Sequence, residues 1–306
     1  MTPVLGAVDW GGTWIRVALV EGARILHRER VARPGPLADQ YRAVAGLVRQ
    51  CSAVVGRDPV AVGVGVAGVV QRGIVVTAIN IGITSATDVR QGMADELGDV
   101  PVVVVNDVQA TAIGLAARWP DELTAVITMG TGLGGAVIDR GRLLTGNGGA
   151  GDFGHIVVQV DGPRCPCGGV GCLEMLVSGK VLAGAAESLA ESGESAFLAA
   201  RRTSGHVLHA GDLQDAAEAG DTGARAVLDR AATAFAAGVR TVVAAVDPAR
   251  IVVAGPLLAD TARFGRLARQ RWAEVRPAWC HTELTAVTGD EDAALLGAAS
   301  VTLAEI

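Results

Sequence analysis

Apolar runs of strand length alternate with stretches of helical spacing along this chain. Val4–Val8 and Ile15–Val20 flank Gly11-Gly12 and predict a β-hairpin. Gln40–Cys51 carries apolar residues at helical spacing on one face. Further strands are expected at Val60–Val70, Pro101–Val105, Ala125–Met129, Ala136–Ile138 and Arg250–Ala254. Further helices are expected at Asp88–Leu97, Val108–Arg118, Val177–Leu198, Thr222–Val246 and Ala293–Leu303. This alternation predicts an α/β fold.

Composition and charge narrow the class of protein. The 306 residues exceed the ~100–200 residues of a usual domain, so two lobes are expected. Hydrophobic residues make up 50% of the chain, enough for a buried core, and the net charge is −6. A net-negative chain is a poor candidate for binding nucleic acid or an anionic membrane. The longest apolar run, Val60–Val70, is shorter than the ~20 residues of a membrane span. The start lacks a basic signal region, so a cytoplasmic protein is expected.

Two segments of the chain resemble each other, namely Asp9–Val20 (DWGGTWIRVALV) and Thr128–Asp139 (TMGTGLGGAVID). They are either unrelated hairpins with ordinary glycine turns, or copies of a duplicated lobe that each supply one loop to a shared cleft. In the second case the backbone N–H groups of the loops bind phosphate. The loop residues are Gly11, Gly12 and Thr13, and Gly130, Thr131, Gly132, Gly134 and Gly135. Neither loop matches a Walker motif or opens a helix as a dinucleotide fingerprint does.

Two carboxylates stand at the ends of expected strands. Asp9 is placed to hold the water shell of Mg²⁺ near bound phosphates, or it caps the turn. Asp107 follows Pro101–Val105 and precedes a helix. It therefore lies at the carboxyl end of a buried strand, where α/β proteins usually bind ligands. As a general base it would accept a proton from a hydroxyl group that attacks a γ-phosphoryl group. As a helix N-cap it would contribute ~1 kcal/mol of stability. The residues alone leave both interpretations open.

A metal site is predicted where His155, Cys165, Cys167 and Cys172 lie within a loop rich in glycine and proline. One imidazole and three thiols complete a tetrahedral zinc set, which leaves no open position and predicts a structural role. Clustered cysteines in a chain without an export signal favour metal binding over disulfides. Reduced, metal-free cysteines are the alternative. Glu174, two residues after the last ligand, would be held by the same loop.

Taken in order, these motifs resemble those of one family. DWGGT, VND before a helix, TMGTGLGGAVI, GDFGH, CPCGGVGCLE and VDPARIVVAG are similar to the motifs of the ROK family (repressors, open reading frames and sugar kinases). The resemblance covers essentially the whole chain and implies two actin-like ATPase (ribonuclease H-like) lobes, with ATP, Mg²⁺ and a sugar in the cleft between them. A small lobe is expected at residues 1–107, joined by a C-terminal helix at 291–306. A large lobe is expected at 108–290, with a structural Zn²⁺ bound by the loop 155–172.

The resemblance also implies roles for individual residues. Asp107 is similar to the catalytic base of the family. Sugar contacts are implied for Asn80, Asn106, Asp107, Asp152, His155 and Glu174. Nucleotide contacts are implied for Asp9, Gly11, Gly12, Thr13, Gly130, Thr131, Gly132, Gly134, Gly135 and, at the start of an adenosine loop, Gly255. The implied activity is glucokinase-like, the ATP-dependent phosphorylation of a primary hydroxyl group of a hexose. A homo-oligomer, dimer or tetramer, is also expected.

Several positions depart from the family pattern and leave the substrate open. Asp152 stands where sugar-kinase members usually have Glu, which retracts the carboxylate by ~1.5 Å. Trp14 replaces a frequent Lys, and Pro256 replaces a second Gly after Gly255. A cyclitol or an amino sugar, such as N-acetylmannosamine or N-acetylglucosamine, is therefore an alternative substrate. Polyphosphate is an alternative donor, and a non-catalytic sugar sensor is an alternative of another class. Repressor members carry a DNA-binding segment before the first loop, and here Asp9 already lies in that loop, so no such segment is expected.

Overall fold

The computed structural model describes residues 2–203 and 205–304, which fold into two compact units. The described residues of Met1–Asp121, Ile138–Ala150 and Asp290–Ile306 form the first unit. The second unit is formed by Glu122–Val137 and Gly151–Gly289. Mixed strands and helices confirm the predicted α/β class.

Strands and helices follow the predicted alternation, with additional elements. The strands are β1 (Val4–Trp10), β2 (Trp14–Glu21), β3 (Arg24–Ala32), β4 (Val62–Val66), β5 (Val69–Gln71), β6 (Ile74–Thr77), β7 (Val102–Asn106), β8 (Leu123–Met129), β9 (Leu133–Asp139), β10 (Arg142–Leu143), β11 (Arg250–Ala254) and β12 (Glu283–Val287). The helices are α1 (Leu37–Val55), α2 (Val89–Leu97), α3 (Asp107–Ala116), α4 (Glu174–Val177), α5 (Gly179–Glu191), α6 (Ala196–Thr203), α7 (Ala210–Glu218), α8 (Thr222–Val246), α9 (Arg263–Val275) and α10 (Ala293–Val301). In the described part of the chain, none of these helices is both long and apolar enough to cross a bilayer.

Two five-stranded sheets share one strand order. The first runs β3-β2-β1-β4-β7 and the second runs β10-β9-β8-β11-β12. In the first sheet β1, β4 and β7 are parallel, and in the second β8, β11 and β12 are parallel. Each sheet therefore repeats the order third, second, first, fourth, fifth. The duplication predicted from the two glycine segments is confirmed at the level of sheet topology.

The first unit extends further along the chain than the expected boundary at residue 107. Helix α3 belongs to this unit because it packs directly on α10. The approach is close, since a Cβ on Gly297 of α10 would lie 1.7 Å from the carbonyl oxygen of Ala110 in α3. The expected joining helix at 291–306 corresponds to α10 and a short 3₁₀ turn, Thr302–Ala304. Residues 305 and 306 of that prediction lie outside the described residues.

Helices α5–α9 supply much of the hydrophobic core of the second unit. The single helix predicted at Val177–Leu198 is wrong, because the chain forms α5 and α6 with a turn between them. Gly193 in that turn has a φ of +76°, which ends the helical path.

Candidate active site and metal centre

Helix α3 begins at Asp107, and the residue before it, Asn106, is its N-cap. Asn106 Oδ1 accepts hydrogen bonds from the backbone N–H groups of Val108 (2.8 Å) and Gln109 (3.3 Å). The Gln109 side chain accepts in return from the Asn106 N–H at 3.3 Å, which completes a capping box. The Asn106 amide nitrogen donates to the Gly68 carbonyl at 2.7 Å. The interpretation of Asp107 as the helix cap is therefore wrong, because its neighbour caps the helix.

The Asp107 carboxyl group has an unusual proton affinity. Its pKa is raised from 3.8 to about 6, chiefly because burial disfavours the charged form. The nearby Asp9 carboxylate raises the pKa as well, whereas the Val108 N–H, 2.9 Å from Asp107 Oδ1, lowers it. A carboxyl group of this kind is ionised at neutral pH and yet accepts a proton more readily than an ordinary aspartate. These are the properties of a general base.

Asp9 lies near the end of β1, directly opposite Arg16 of β2. Nε and Nη2 of Arg16 lie 2.6 and 2.5 Å from Asp9 Oδ2. Nη1 of the same guanidinium donates to the carbonyl of Glu291 at 2.9 Å. Arg16 therefore fixes the direction of the Asp9 carboxylate. Sequence reasoning missed Arg16, although the pairing of the predicted hairpin would have placed residues 9 and 16 opposite each other.

The first glycine loop, Gly11–Thr13, is held by backbone and side-chain donors. The N–H of its first residue donates to the carbonyl of Trp14 at 3.0 Å. Arg33 Nε donates to the carbonyl of the second loop residue at 2.7 Å, and the Arg33 N–H donates to that of the third at 2.9 Å. Asn80 lies against this loop, since a Cβ on the second residue would come within 3.1 Å of Asn80 Cβ.

The second glycine loop is shorter than expected. It comprises residues 130–132, whereas Gly134 and Gly135 belong to strand β9. A Cβ on Gly135 would lie 2.4 Å from Phe153 Cδ2 and 2.9 Å from the carbonyl oxygen of Gly151. Glycine at this position therefore lets the GDFGH segment pack on the strand.

Gly255 follows β11, which lies parallel and adjacent to β8. Its φ of +125° is in a region that favours glycine, and a Cβ would lie only 2.0 Å from the Met129 carbonyl oxygen. Pro256 then begins a short 3₁₀ helix, Pro256–Leu258. Gly255 thus lies beside the strand that leads into the second glycine loop.

Three of the residues expected to contact sugar gather next to this second loop. Glu174 Oε2 accepts a hydrogen bond from the Leu133 N–H at 3.2 Å. Asp152 Oδ2 lies 3.8 Å from Nε2 of His155. The pKa of Asp152 is raised, mainly by desolvation and also by the Glu174 carboxylate, while His155 opposes the shift. The two carboxylates and the imidazole therefore form one electrostatic group in the second unit.

The predicted zinc ligands converge in the same unit. The ligand atoms of His155, Cys165, Cys167 and Cys172 all lie within 4.8 Å of one another. The Cys167 and Cys172 sulfurs are 3.7 Å apart, and Nδ1 of His155 lies 3.6 Å from Cys165 Sγ. Tetrahedral bonds of ~2.3 Å to sulfur and ~2.0–2.1 Å to nitrogen would separate such ligands by ~3.8 and ~3.6 Å. These two separations therefore match those of a tetrahedral zinc site.

The electrostatics of the thiols also suit a cation. All four ligand residues offer neutral or anionic donors, and none of the cysteines forms a disulfide. Burial and the neighbouring thiols raise the pKa of Cys172 to about 12, so its thiolate is hard to form without a metal ion. The N–H of Gly169 donates to Cys167 Sγ at 3.4 Å and lowers the pKa of that thiol. His155 turns Nδ1 to the thiols and Nε2 to Asp152, an orientation that joins the metal cluster to the polar group.

Comparison with known proteins decides the family. The sequence model of the ROK family matches residues 5–305. The chain belongs to the ROK family. It is 31% identical over 306 residues to an N-acetylmannosamine kinase from Escherichia coli, covering 98% of each chain.

Solved structures of ROK proteins have the same fold as this chain. A ROK hexokinase from Thermus thermophilus aligns with a TM-score of 0.84 and 26% identity, covering 99% of this chain and 98% of that chain. A ROK family glucokinase from Streptomyces griseus, in complex with glucose and AMPPNP, aligns with a TM-score of 0.75 and 31% identity. That alignment covers 97% of this chain and 98% of the glucokinase. The actin-like ATPase fold expected of the ROK chain is thereby confirmed.

The expected site residues of this ROK chain fall into two groups. The first unit holds Asp9, Gly11, Gly12, Thr13, Asn80, Asn106 and Asp107. The second unit holds Gly130, Thr131, Gly132, Gly134, Gly135, Asp152, His155, Cys165, Cys167, Cys172, Glu174 and Gly255. Asp9, Asn106 and Asp107 lie at or directly after the carboxyl ends of the parallel strands β1 and β7. Asn80 instead lies in a short 3₁₀ turn, Ile79–Ile81, and Gly134 and Gly135 lie in β9.

Proposed function

We propose that this ROK chain is an ATP- and Mg²⁺-dependent kinase that phosphorylates a primary hydroxyl group of a hexose. The observation that carries the proposal is Asp107, a desolvated carboxyl group of pKa about 6 that is not needed to cap its helix. The kinases among its relatives support the reaction class.

Asp107 accepts the proton of the sugar hydroxyl as that oxygen attacks the γ-phosphoryl group of ATP. Phosphoryl transfer depends mainly on positioning and electrostatics, so the base chiefly orients the nucleophile. Asn106 donates one amide hydrogen to Gly68, which leaves its second N–H for a sugar hydroxyl. Asn80, which lies beside the first glycine loop, contributes a further contact to the sugar.

The two glycine loops bind the phosphates of ATP through backbone N–H groups, and Gly255 begins the segment that contacts adenosine. Mg²⁺, when bound, neutralises charge that develops on the phosphates. Asp9 would hold the water shell of that ion, and Arg16 keeps the Asp9 carboxylate in one orientation. The same arginine therefore positions the metal-binding group without contacting the reacting atoms.

The second unit contributes the remaining sugar contacts. Glu174 and Asp152 accept hydrogen bonds from sugar hydroxyl groups, and Nε2 of His155 forms one further hydrogen bond to the sugar. His155 and the three cysteines would hold a Zn²⁺ ion, which would fix the loop that leads into α4, where Glu174 is the first residue. With four protein ligands the ion is structural.

An N-acetylated hexose is the second candidate substrate. Asp152 is one methylene shorter than the glutamate usual in sugar-kinase members, which leaves extra room beside His155. The similarity to an N-acetylmannosamine kinase favours the same candidate.

The test is ADP release with purified protein, Mg²⁺-ATP and a panel of glucose, mannose, N-acetylmannosamine, N-acetylglucosamine and a cyclitol. We expect the wild-type protein to turn over at least one hexose. The Asp107→Asn variant should turn over the same hexose at a rate lower by ~10²–10⁴-fold or more. A parallel assay of sugar phosphorylation with polyphosphate in place of ATP identifies the phosphoryl donor. Sugar binding by calorimetry without ADP release from any acceptor would refute the kinase proposal and favour a sugar sensor.

A further inference from the structure

Lys180 is the only lysine of this chain. The sequence contains 26 Lys and Arg residues, of which 25 are arginine. Every other position that carries a lysine or an arginine in this protein is arginine. Lys180 is the second residue of α5 (Gly179–Glu191).

The backbone places Lys180 against the second glycine loop. Its N–H donates to the carbonyl of Thr131 at 3.0 Å, and the N–H of Gly179 donates to that of Gly130 at 3.0 Å. The approach is so close that a Cβ on Gly179 would lie 2.4 Å from the Gly130 carbonyl oxygen. The start of α5 is thus joined to the glycine loop by two backbone hydrogen bonds and close packing.

The amides of this helix terminus are already used within the protein. Besides the two N–H groups bonded to the loop, the N–H of Val181 donates to Ser178 Oγ at 3.4 Å. The helix terminus is therefore not itself a free anion site. The group that remains for an anion is the ammonium group of Lys180.

That ammonium group is exposed and has no partner in the described part of the chain. A cation in the first turn of a helix is repelled by the helix dipole, so stability does not explain it. Side chains of a helix tilt toward its N-terminus, and the N-terminus of α5 faces the glycine loop. The Lys180 side chain therefore starts from the helix terminus that is bonded to this loop, within reach of a phosphate bound there.

We infer that Lys180 binds the terminal phosphates of the phosphoryl donor, an inference that rests on the proposed kinase function. Lysine suits this role because its compact ammonium group offers three donors that adapt to phosphate oxygens. The loop supplies neutral N–H groups, and Lys180 supplies the positive charge that this second unit brings to the phosphates. The residue is a donor-binding group and takes no part in choosing the sugar.

Calorimetric measurement of AMPPNP binding in the presence of Mg²⁺ tests whether the positive charge of Lys180 contributes to nucleotide affinity. Lys180→Gln should raise the Kd for AMPPNP by about tenfold to a hundredfold, because a charge-assisted contact is lost. Kd for AMP and for the sugar should stay unchanged, which shows that the variant is folded. Lys180→Arg keeps the positive charge but not the compact ammonium group, so its Kd for AMPPNP should lie between those of the wild type and Lys180→Gln. Arg230→Gln, which removes one exposed cation from α8, should leave the Kd for AMPPNP unchanged.

Chemical modification gives an independent readout, because Lys180 is the only side-chain amine. The aldehyde of pyridoxal phosphate condenses with its Nζ, with loss of water, and borohydride reduces the imine to a secondary amine. Peptide mass analysis separates this product from one at the N-terminal amine. Inorganic tripolyphosphate and AMPPNP should protect Lys180, and the sugar alone should not.

Wild-type affinity for AMPPNP in Lys180→Gln, or modification at the same rate with and without tripolyphosphate, would overturn the inference and leave the kinase proposal intact. A wild-type protein that binds no nucleotide at all would instead overturn the kinase proposal, and this inference with it.

Discussion

Replacement of Asp107 by asparagine should inactivate the protein and at the same time make it more stable at neutral pH. The pKa of this carboxyl group is about 6 in the folded protein against 3.8 as its ordinary value. Two pKa units correspond to about 3 kcal/mol, so at pH 7.5 the ionised Asp107 lowers the free energy of unfolding by up to about that amount. Asparagine removes the charge and keeps an oxygen that can accept from the Val108 N–H.

The sign of the pH dependence follows from proton binding. Between pH 4 and 6 the folded protein holds a proton on Asp107 that the unfolded chain has released, so the stability of the wild type falls as pH rises through this window. The stabilisation by Asp107→Asn should therefore be greatest at pH 7.5 and about half as large at pH 5. The activity of the wild type should instead increase with pH, because the base must be ionised. Its log kcat/KM should rise and level off above about pH 6.

Urea unfolding followed by tryptophan fluorescence, at pH 5 and pH 7.5, measures the effect. The matched control is Asp88→Asn, since Asp88 caps α2 and its pKa is lowered by Arg90. That variant should lose stability at pH 7.5. If Asp107→Asn were destabilised at both pH values like the control, the carboxylate would be a structural group of the helix terminus. If the variant kept full activity, the base assignment would be refuted.

Three further predictions follow from the second unit. Wild-type protein should carry about one zinc ion per chain in metal analysis. Cys167→Ser should carry none and should bind sugar about 10–100-fold more weakly, because the loop that presents Glu174 loosens; unchanged sugar affinity in the zinc-free protein would contradict the structural role. Asp152→Glu should raise kcat/KM for glucose relative to N-acetylmannosamine, and an unchanged ratio of the two kcat/KM values would count against the role of side-chain length. Gly255→Ala should lower the unfolding free energy by ~1–3 kcal/mol and weaken AMPPNP binding, because both its φ and the Met129 carbonyl exclude a Cβ; wild-type stability in urea would refute this.

The elements with strong apolar patterns were predictable from the sequence. Strand β11 and helix α8 have the predicted bounds, Arg250–Ala254 and Thr222–Val246, because each is apolar in the period of its own element. The elements that were missed are more polar. Strand β3 is largely exposed, and α9 carries many charges. The buried Phe264, Ala268 and Trp272 of α9 recur every four residues, so the helical signal was present beneath those charges.

The convergence of the candidate metal ligands could be predicted from the sequence, whereas the local geometry of the candidate site could not. The four predicted zinc ligands converge as their spacing indicated, because closely spaced cysteines in a glycine-rich turn have few other arrangements. The capping of α3 was assigned to the wrong residue. Asn106 and Gln109 are three positions apart and form the reciprocal pattern of a capping box, a signal that would have identified the cap. The position of Gly135 in a strand depends on its packing with Phe153, which the sequence does not reveal.

The repeated topology explains where the chemistry of this protein is symmetric and where it is not. Both sheets place a glycine loop after their first strand, and loops of this kind need only backbone N–H groups, which tolerate divergence of the flanking side chains. Side-chain chemistry cannot be shared in this way. The fifth strand of the first sheet, β7, ends at Asn106 and is followed by Asp107. In the second unit the candidate metal loop lies between β10 and β11, not after the fifth strand. Substitutions in either glycine loop should therefore weaken donor binding, while each side-chain site should have its own distinct effect on base catalysis or sugar affinity.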